Sequence, residues 1–308
     1  MGQFGATGVG QYLQLRWVSL CDSPGSTSAI GAGQNGLQSD TRVAKALILT
    51  YARSQGAIWA FVRGSRLADE QLHELRGALK RLRSIIGLMD LGGIETGSMD
   101  DRLSAWSRQL GSVRDQAVVE AWLNKNLGEN AIKIPKPLPK SEASKNRRVK
   151  PIAKGVKAVV AEMAERLGSD EGGIDVVSAV KKSFKRARDS WTKTSASGKL
   201  KDFHRLGKRT KHLQYQIEAC RKESAGAEKF LKELRKLSQS LSYLNDLWLV
   251  ENFLEFHSDE IHDARVLFKK LRDEQIFERQ SVSATANALF SIKSKAFIAQ
   301  IFDLSEII

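Results

Sequence analysis

From about residue 41 onward, apolar positions recur at intervals of three and four, the period of helices that bury one side. The pattern predicts helices over about 41–62, 69–90, 99–127, 152–168, 173–194, 199–222, 226–258, 259–275 and 281–302. Glycine and serine signals such as LGSDEGG and ESAG separate them. No alternating run after residue 41 predicts a strand, so the expected class is all-α. Two stretches lack the period. Residues 1–40 are rich in Gly, Ser, Thr, Asn and Gln and are expected to form a mobile tail, with YLQLRWVSL as one candidate strand. Residues 131–157 carry four prolines and nine basic residues against one acid, the composition of a basic linker.

Within 71–89 (QLHELRGALKRLRSIIGLM), Leu72, Leu75, Leu79, Leu82, Ile86 and Met89 form a core stripe. A second strip runs beside it. His73, Arg76, Lys80 and Arg83 fall within roughly 80° of one another on a helix.

Comparing the chain with itself explains why such a strip recurs. LGSVRDQAVVEAWL, starting at Leu110, aligns without a gap on LSYLNDLWLVENFL, starting at Leu241, an offset of 131. The same offset carries His73 onto His204, Leu75 onto Leu206, Lys80 onto Lys211 and Leu82 onto Leu213, and the interval from His to Asp is 42 in both halves (His73 to Asp115, His204 to Asp246). The expectation is two helical bundles of about four helices each, related by an internal duplication with pseudo-twofold symmetry. The first repeat would span 41–168, including the linker at about 131–151, and the second 169–308. In the second repeat the strip is His204, Lys208 and Lys211, with Tyr215 on the same side and His212 nearby.

Charge narrows the chemistry. The 308 residues carry a formal net charge of +14, which favours a polyanionic partner: nucleic acid, polyphosphate or an anionic surface. Cys21 and Cys220 are too far apart in sequence to suggest a disulfide framework or thiolate zinc site. With no signal-peptide pattern and no long apolar span, a cytoplasmic protein is expected.

The residues HELRGALKRLR and HRLGKRTKHLQY, followed by LGSVRD and LSYLND, resemble the motifs of the CHAD family, the conserved-histidine α-helical domains. ALFSIKSKAF resembles the family's closing helix, so the likeness runs from about 41 to 302. It implies two helical bundles about a pseudo-twofold axis and binding of inorganic polyphosphate in a basic central cleft; association with polyphosphate granules is expected to follow from that binding. Carried over by position, His73, Arg76, Lys80 and Arg83, with His204 and Lys211, line that cleft. Gly207 and Gln214 stand where arginines are usual; Lys208 restores a charge one step along.

Arginines suit two-pronged contact with phosphate oxygens and lysines act as point charges, while histidine adds a cation in mild acid. Asp115 and Asp246 either hold a His or Arg of the strip from behind or form ordinary interhelical ion pairs. Lys181, Lys185 and Arg188 share one side of their helix and either border the cleft or face solvent. The linker cations Lys133, Lys136, Lys140, Lys145, Arg147, Arg148 and Lys150 suit a solubilising tether as well as an anion clamp. HDARVLFKKLR, from His262 to Arg272, repeats the spacing at a place where no companion Asp helix follows. The sequence shows no nucleophile with an adjacent base, no phosphate-loop glycines and no familiar metal-ligand spacing. The expectation is a non-enzymatic, cofactor-free polyphosphate binder, with a general nucleic-acid binder as the alternative and a metal-dependent phosphohydrolase as a weaker one.

Overall fold

Ten helices, and no strand, make up the described residues of the computed structural model, which are 35–62, 69–110, 112–127, 142–169, 173–220, 225–259, 261 and 264–302. They are α1 (Asn35–Ile58), α2 (Asp69–Leu91), α3 (Met99–Gln109), α4 (Ser112–Leu127), α5 (Glu142–Ser169), α6 (Val176–Ser197), α7 (Leu200–Cys220), α8 (Ala225–Phe256), α9 (Ala264–Phe290) and α10 (Ser294–Phe302), with a 3₁₀ turn at Trp59–Phe61. The described residues from Asp40 onward form one compact unit. The expected strand in the N-terminal stretch and residues 131–141 of the basic linker lie outside the described residues, while 142–157 are helical.

The apolar stripe of α2 is buried as its spacing requires: Leu75, Leu79, Leu82, Ile86 and Met89 are at most 2% exposed, and Leu72 packs against their cluster. Next to it α6 starts on an Asp175 carboxylate that accepts from the Ser178 amide at 2.9 Å, so a first-turn N–H is satisfied. It stops at Gly198, whose φ of 61° suits a residue without a Cβ and whose N–H bonds Thr194 O at 2.9 Å. That stop turns the chain into α7, which packs on α2, α6 and α8. Phe184 of α6 stacks on Phe297 of α10 with ring centroids 4.0 Å apart, tying the last helix to the same core.

A second cluster joins α4, α8 and α9. It holds Val119 and Leu123 together with Val250 and Leu254, the residues on which the 131-residue offset places them.

Three expected boundaries shift, each for a local reason. The helix expected over 99–127 is divided into α3 and α4: Leu110, just before Gly111, ends α3, and its carbonyl, left without an intrahelical donor, accepts from the Arg76 guanidinium. The helix expected from 152 already runs from Glu142, with Pro151 inside it; Val149 and Ile152, on either side, are buried, so packing offsets the lost N–H bond. The helices expected over 259–275 and 281–302 become a continuous α9 and a short α10. Contacts with α8 hold α9 continuous across the expected gap: Gln275 donates to Glu251 at 2.9 Å, Glu274 accepts from the Tyr243 hydroxyl at 2.6 Å, and the Arg279 guanidinium lies over the Trp248 ring, 5.7 Å from its centroid.

Candidate functional site

The two strip helices meet. Where α2 packs on α7, the Ser84 hydroxyl donates to His212 O at 2.7 Å and Gln216 Nε2 donates to Ser84 O at 3.0 Å. The Arg81 guanidinium lies over the Tyr215 ring, 5.4 Å from its centroid. Tyr215 is the residue that the 131-residue offset pairs with Ser84, so the contact is centred on equivalent points of the two helices.

On α2, His73 is exposed, while Arg76, Lys80 and Arg83 are partly buried. The arginines are engaged by protein acceptors: Arg76 by Leu110 O, and Arg83 by both carboxylate oxygens of Asp100, with Nε at 2.8 Å and Nη2 at 3.0 Å. The two-pronged geometry expected toward a phosphate is thus already used on an aspartate in the first turn of α3. On α7, Lys208 is exposed and Lys211 donates to the Ser242 hydroxyl.

His204 Nδ1 sits 3.0 Å from Asn245 Oδ1. The residue holding this histidine is therefore Asn245, one position before the Asp246 singled out by spacing. Asp246 lies near Tyr243, whose hydroxyl pKa burial and the surrounding carboxylates, Asp246 among them, raise. The Asp115 side chain lies outside the described residues, although its backbone belongs to α4. His204 also borders an open groove with Lys199, Lys201, Trp248 and Asn252. Desolvation, and to a lesser extent Lys208 and Lys211, hold its imidazole below the usual range against the opposing Asn245 contact.

A cavity of about 180 Å³ opens between α2, α3, α6 and α7. Arg83 and Asp100 form one wall, and Arg186, Arg209, His212 and Gln216 the others. Burial, with Arg83, Arg209 and Lys208 adding to it against Asp100, pushes the His212 pKa down to about 4, so the imidazole is neutral at pH 7.

Of the α6 residues singled out by spacing, Lys181 and Lys185 are exposed, and Arg188 stacks over Phe184 at 5.8 Å; none lines this cavity. Their neighbours on the adjoining face reach the strip helices: Arg186 lines the cavity and Lys182 donates to Leu91 O at 3.1 Å. Arg186 and Arg209 are the cations that spacing missed. The signal available was the face of α7 rotated by about 100° from the strip, where Arg205, Arg209, His212 and Gln216 follow one another.

The linker side chains from Lys133 to Arg148 and His262 lie outside the described residues, whereas Lys150, Arg265, Lys269 and Arg272 are exposed. Among the described residues no three His, Cys, Asp or Glu side chains group to hold a metal ion, and no helix is long and apolar enough to cross a membrane.

No curated protein matches the chain. Among solved structures, the crystal structure of the CHAD domain from the plant Ricinus communis is similar, with a TM-score of 0.45 and 18% sequence identity, covering 85% of this chain and 91% of that one. The CHAD domain family model matches residues 51–255, more than half of the chain and both strip helices, and the protein belongs to the CHAD domain family.

Proposed function

We propose that this protein binds inorganic polyphosphate without catalysing its hydrolysis or synthesis, and that it attaches to polyphosphate granules through this binding. The observation that carries the proposal is the packing of α2 on α7 at equivalent points, which brings the two cationic strips onto neighbouring helices. Arg76, Lys80 and Arg83 on one helix and Lys208 and Lys211 on the other then supply cations about a turn apart, with His73 and His204 beside them. A linear polyanion presents acceptors at short intervals, so one strand can engage several of them at once. Membership of the CHAD family and the net charge of +14 support the same ligand class. The internal duplication belongs to this proposal too: two copies of one unit account for the shared offset and for the central contact.

Competition tests the ligand. At physiological salt, long-chain polyphosphate is expected to displace duplex DNA and RNA from the protein; if it fails, the general nucleic-acid reading replaces this one. A folded Lys80→Glu/Lys211→Glu protein with unchanged helical circular dichroism is expected to lose polyphosphate binding, and unchanged affinity would move the site elsewhere. Orthophosphate released from polyphosphate in the presence of Mg²⁺, and abolished by His73→Ala, would overturn the non-catalytic part.

A further inference from the structure

The outer face of α9 takes no part in the sites described above. Three large apolar side chains stand open there, Val266, Ile276 and Phe277, at 65%, 56% and 67% exposure. The inner face of the same helix is committed to the core, with Leu267, Leu271, Gln275 and Val282 buried. The cations that repeat the strip spacing, Arg265, Lys269 and Arg272, lie on one flank. Beside them runs a narrower stripe of Val266, Lys270, Asp273 and Phe277, all exposed and within about 60° of one another.

The stripe has two properties that bear on what covers it. Its intervals are four, three and four, the spacing of a seam along which two helices pack side by side. Reversed about the point between Leu271 and Arg272, it also sets its two apolar residues against each other and its cation against its anion. An antiparallel copy of the same stripe is therefore its complement, and no other occupant satisfies all four residues. A linear polyanion would pair with Lys270 but meet Asp273 and leave Val266 and Phe277 in water. A membrane surface would take the apolar groups but bury Asp273, in the middle of the stripe, without a partner.

We infer that the outer face of α9 is an interface between two copies of this chain, closed by antiparallel packing of α9 on α9. Val266 meets the partner's Phe277 and Lys270 meets the partner's Asp273, each contact occurring twice about a twofold axis. On the flank, the Lys269 stem covers the partner's Ile276 and leaves its ammonium in solvent. The seam is roughly 16 Å long, at the small end of specific interfaces, so the dimer is weak, with a Kd on the order of 10–100 μM. The net charge of +14 on each copy opposes association, but at about 0.15 M salt charges more than about 8 Å apart are largely screened. Dimerisation of this kind does not depend on which polyanion the strips bind.

Analytical ultracentrifugation of the full chain from about 1 to 500 μM, a range that brackets such a Kd, tests the interface. The positions changed are exposed, so helical circular dichroism is expected to stay as it is in every variant. Phe277→Ser is expected to weaken dimerisation by about tenfold or more, and Lys270→Glu and Asp273→Lys by about tenfold each, because the symmetry turns two attractive contacts repulsive at once. Pairing of charges makes a prediction that a merely sticky face does not. Mixing the Lys270→Glu protein with the Asp273→Lys protein sets opposite charges together at both positions, so a heterodimer is expected with a Kd within about threefold of the unaltered chain's. Lys270→Glu/Asp273→Lys in one chain is expected to recover dimerisation to the same extent. A chain that stays monomeric throughout, a dimer that these variants leave unchanged, or a mixture that stays monomeric overturns the inference. A monomer that floats with vesicles of anionic phospholipid, and no longer does so with Phe277→Ser, overturns it too and puts a membrane on this face in place of the second copy.

Discussion

Asp100 competes with any anion for Arg83. Its two oxygens hold the guanidinium at 2.8 and 3.0 Å, and both side chains are partly open to solvent, at 28% and 45% exposure, so the pair is worth about 1 kcal/mol rather than several. Replacing Asp100 by Asn removes the competing charge and leaves the shape. Polyphosphate is then expected to bind up to about fivefold more tightly, measured as Kd at constant salt. Weaker binding would mean that Asp100 positions Arg83 for the ligand. His212 makes a prediction about pH. Its folded pKa of about 4 lies below the ordinary imidazole value of 6.5, so the folded state binds fewer protons between those values than the unfolded one. The stabilisation is complete above about pH 6.5 and is lost as pH falls toward 4, amounting to about 3 kcal/mol for this residue. Denaturant unfolding at pH 7 and pH 4.5 is expected to show the decline, and His212→Asn to flatten it. The strip residues were legible because intervals of three and seven survive on any helix. Arg186 and Arg209 were not, because they come to one cavity only when α6 and α7 pack.

Helix packing fixes where the strips can point, and glycine positions show how tightly. In α5, a Cβ at Gly155 would sit 2.4 Å from Trp106 Cζ2 of α3, so only glycine allows the two helices this close. In α7, a Cβ at Gly207 would meet Leu241 Cβ at 3.6 Å, an ordinary contact. The same substitution should therefore have opposite signs. Gly155→Ala is expected to destabilise by about 1–3 kcal/mol despite better helix propensity, and Gly207→Ala to stabilise by up to about 1 kcal/mol, both read from chemical denaturation midpoints. Element type was legible along the described chain because each helix keeps an apolar stripe. The boundaries failed where tertiary contacts took over: Arg76 satisfies the carbonyl that ends α3, and Glu274 and Gln275 hold α9 on its neighbours through interhelical hydrogen bonds. Neither partnership has a signature in the local sequence, since Arg76 is 34 positions from Leu110 and Gln275 is 24 from Glu251.

At the scale of the molecule, a net charge of +14 attracts every polyanion, and the question is whether binding follows the field or the strips. A field depends on how many charges there are; a site depends on where they stand. The exposed face of α9 offers the comparison, because Arg265, Lys269 and Arg272 repeat the cationic spacing of the α2 strip. Replacing all three by Gln removes three charges, one more than Lys80→Gln/Lys211→Gln removes. At about 0.15 M salt the Debye length is near 8 Å, so charges outside the contact are largely screened. There the α9 variant is expected to keep polyphosphate affinity within about twofold, while Lys80→Gln/Lys211→Gln loses more than about tenfold. Each cation in contact also releases counterions, so the strip variant should lower the slope of log K against log salt by about two units, and the α9 variant should leave it nearly unchanged. At about 0.01 M salt the Debye length grows to about 30 Å and the α9 charges should begin to matter as well. Equal losses for both variants at 0.15 M would mean that the field binds, and that the meeting of α2 and α7 is a feature of the core rather than of a site.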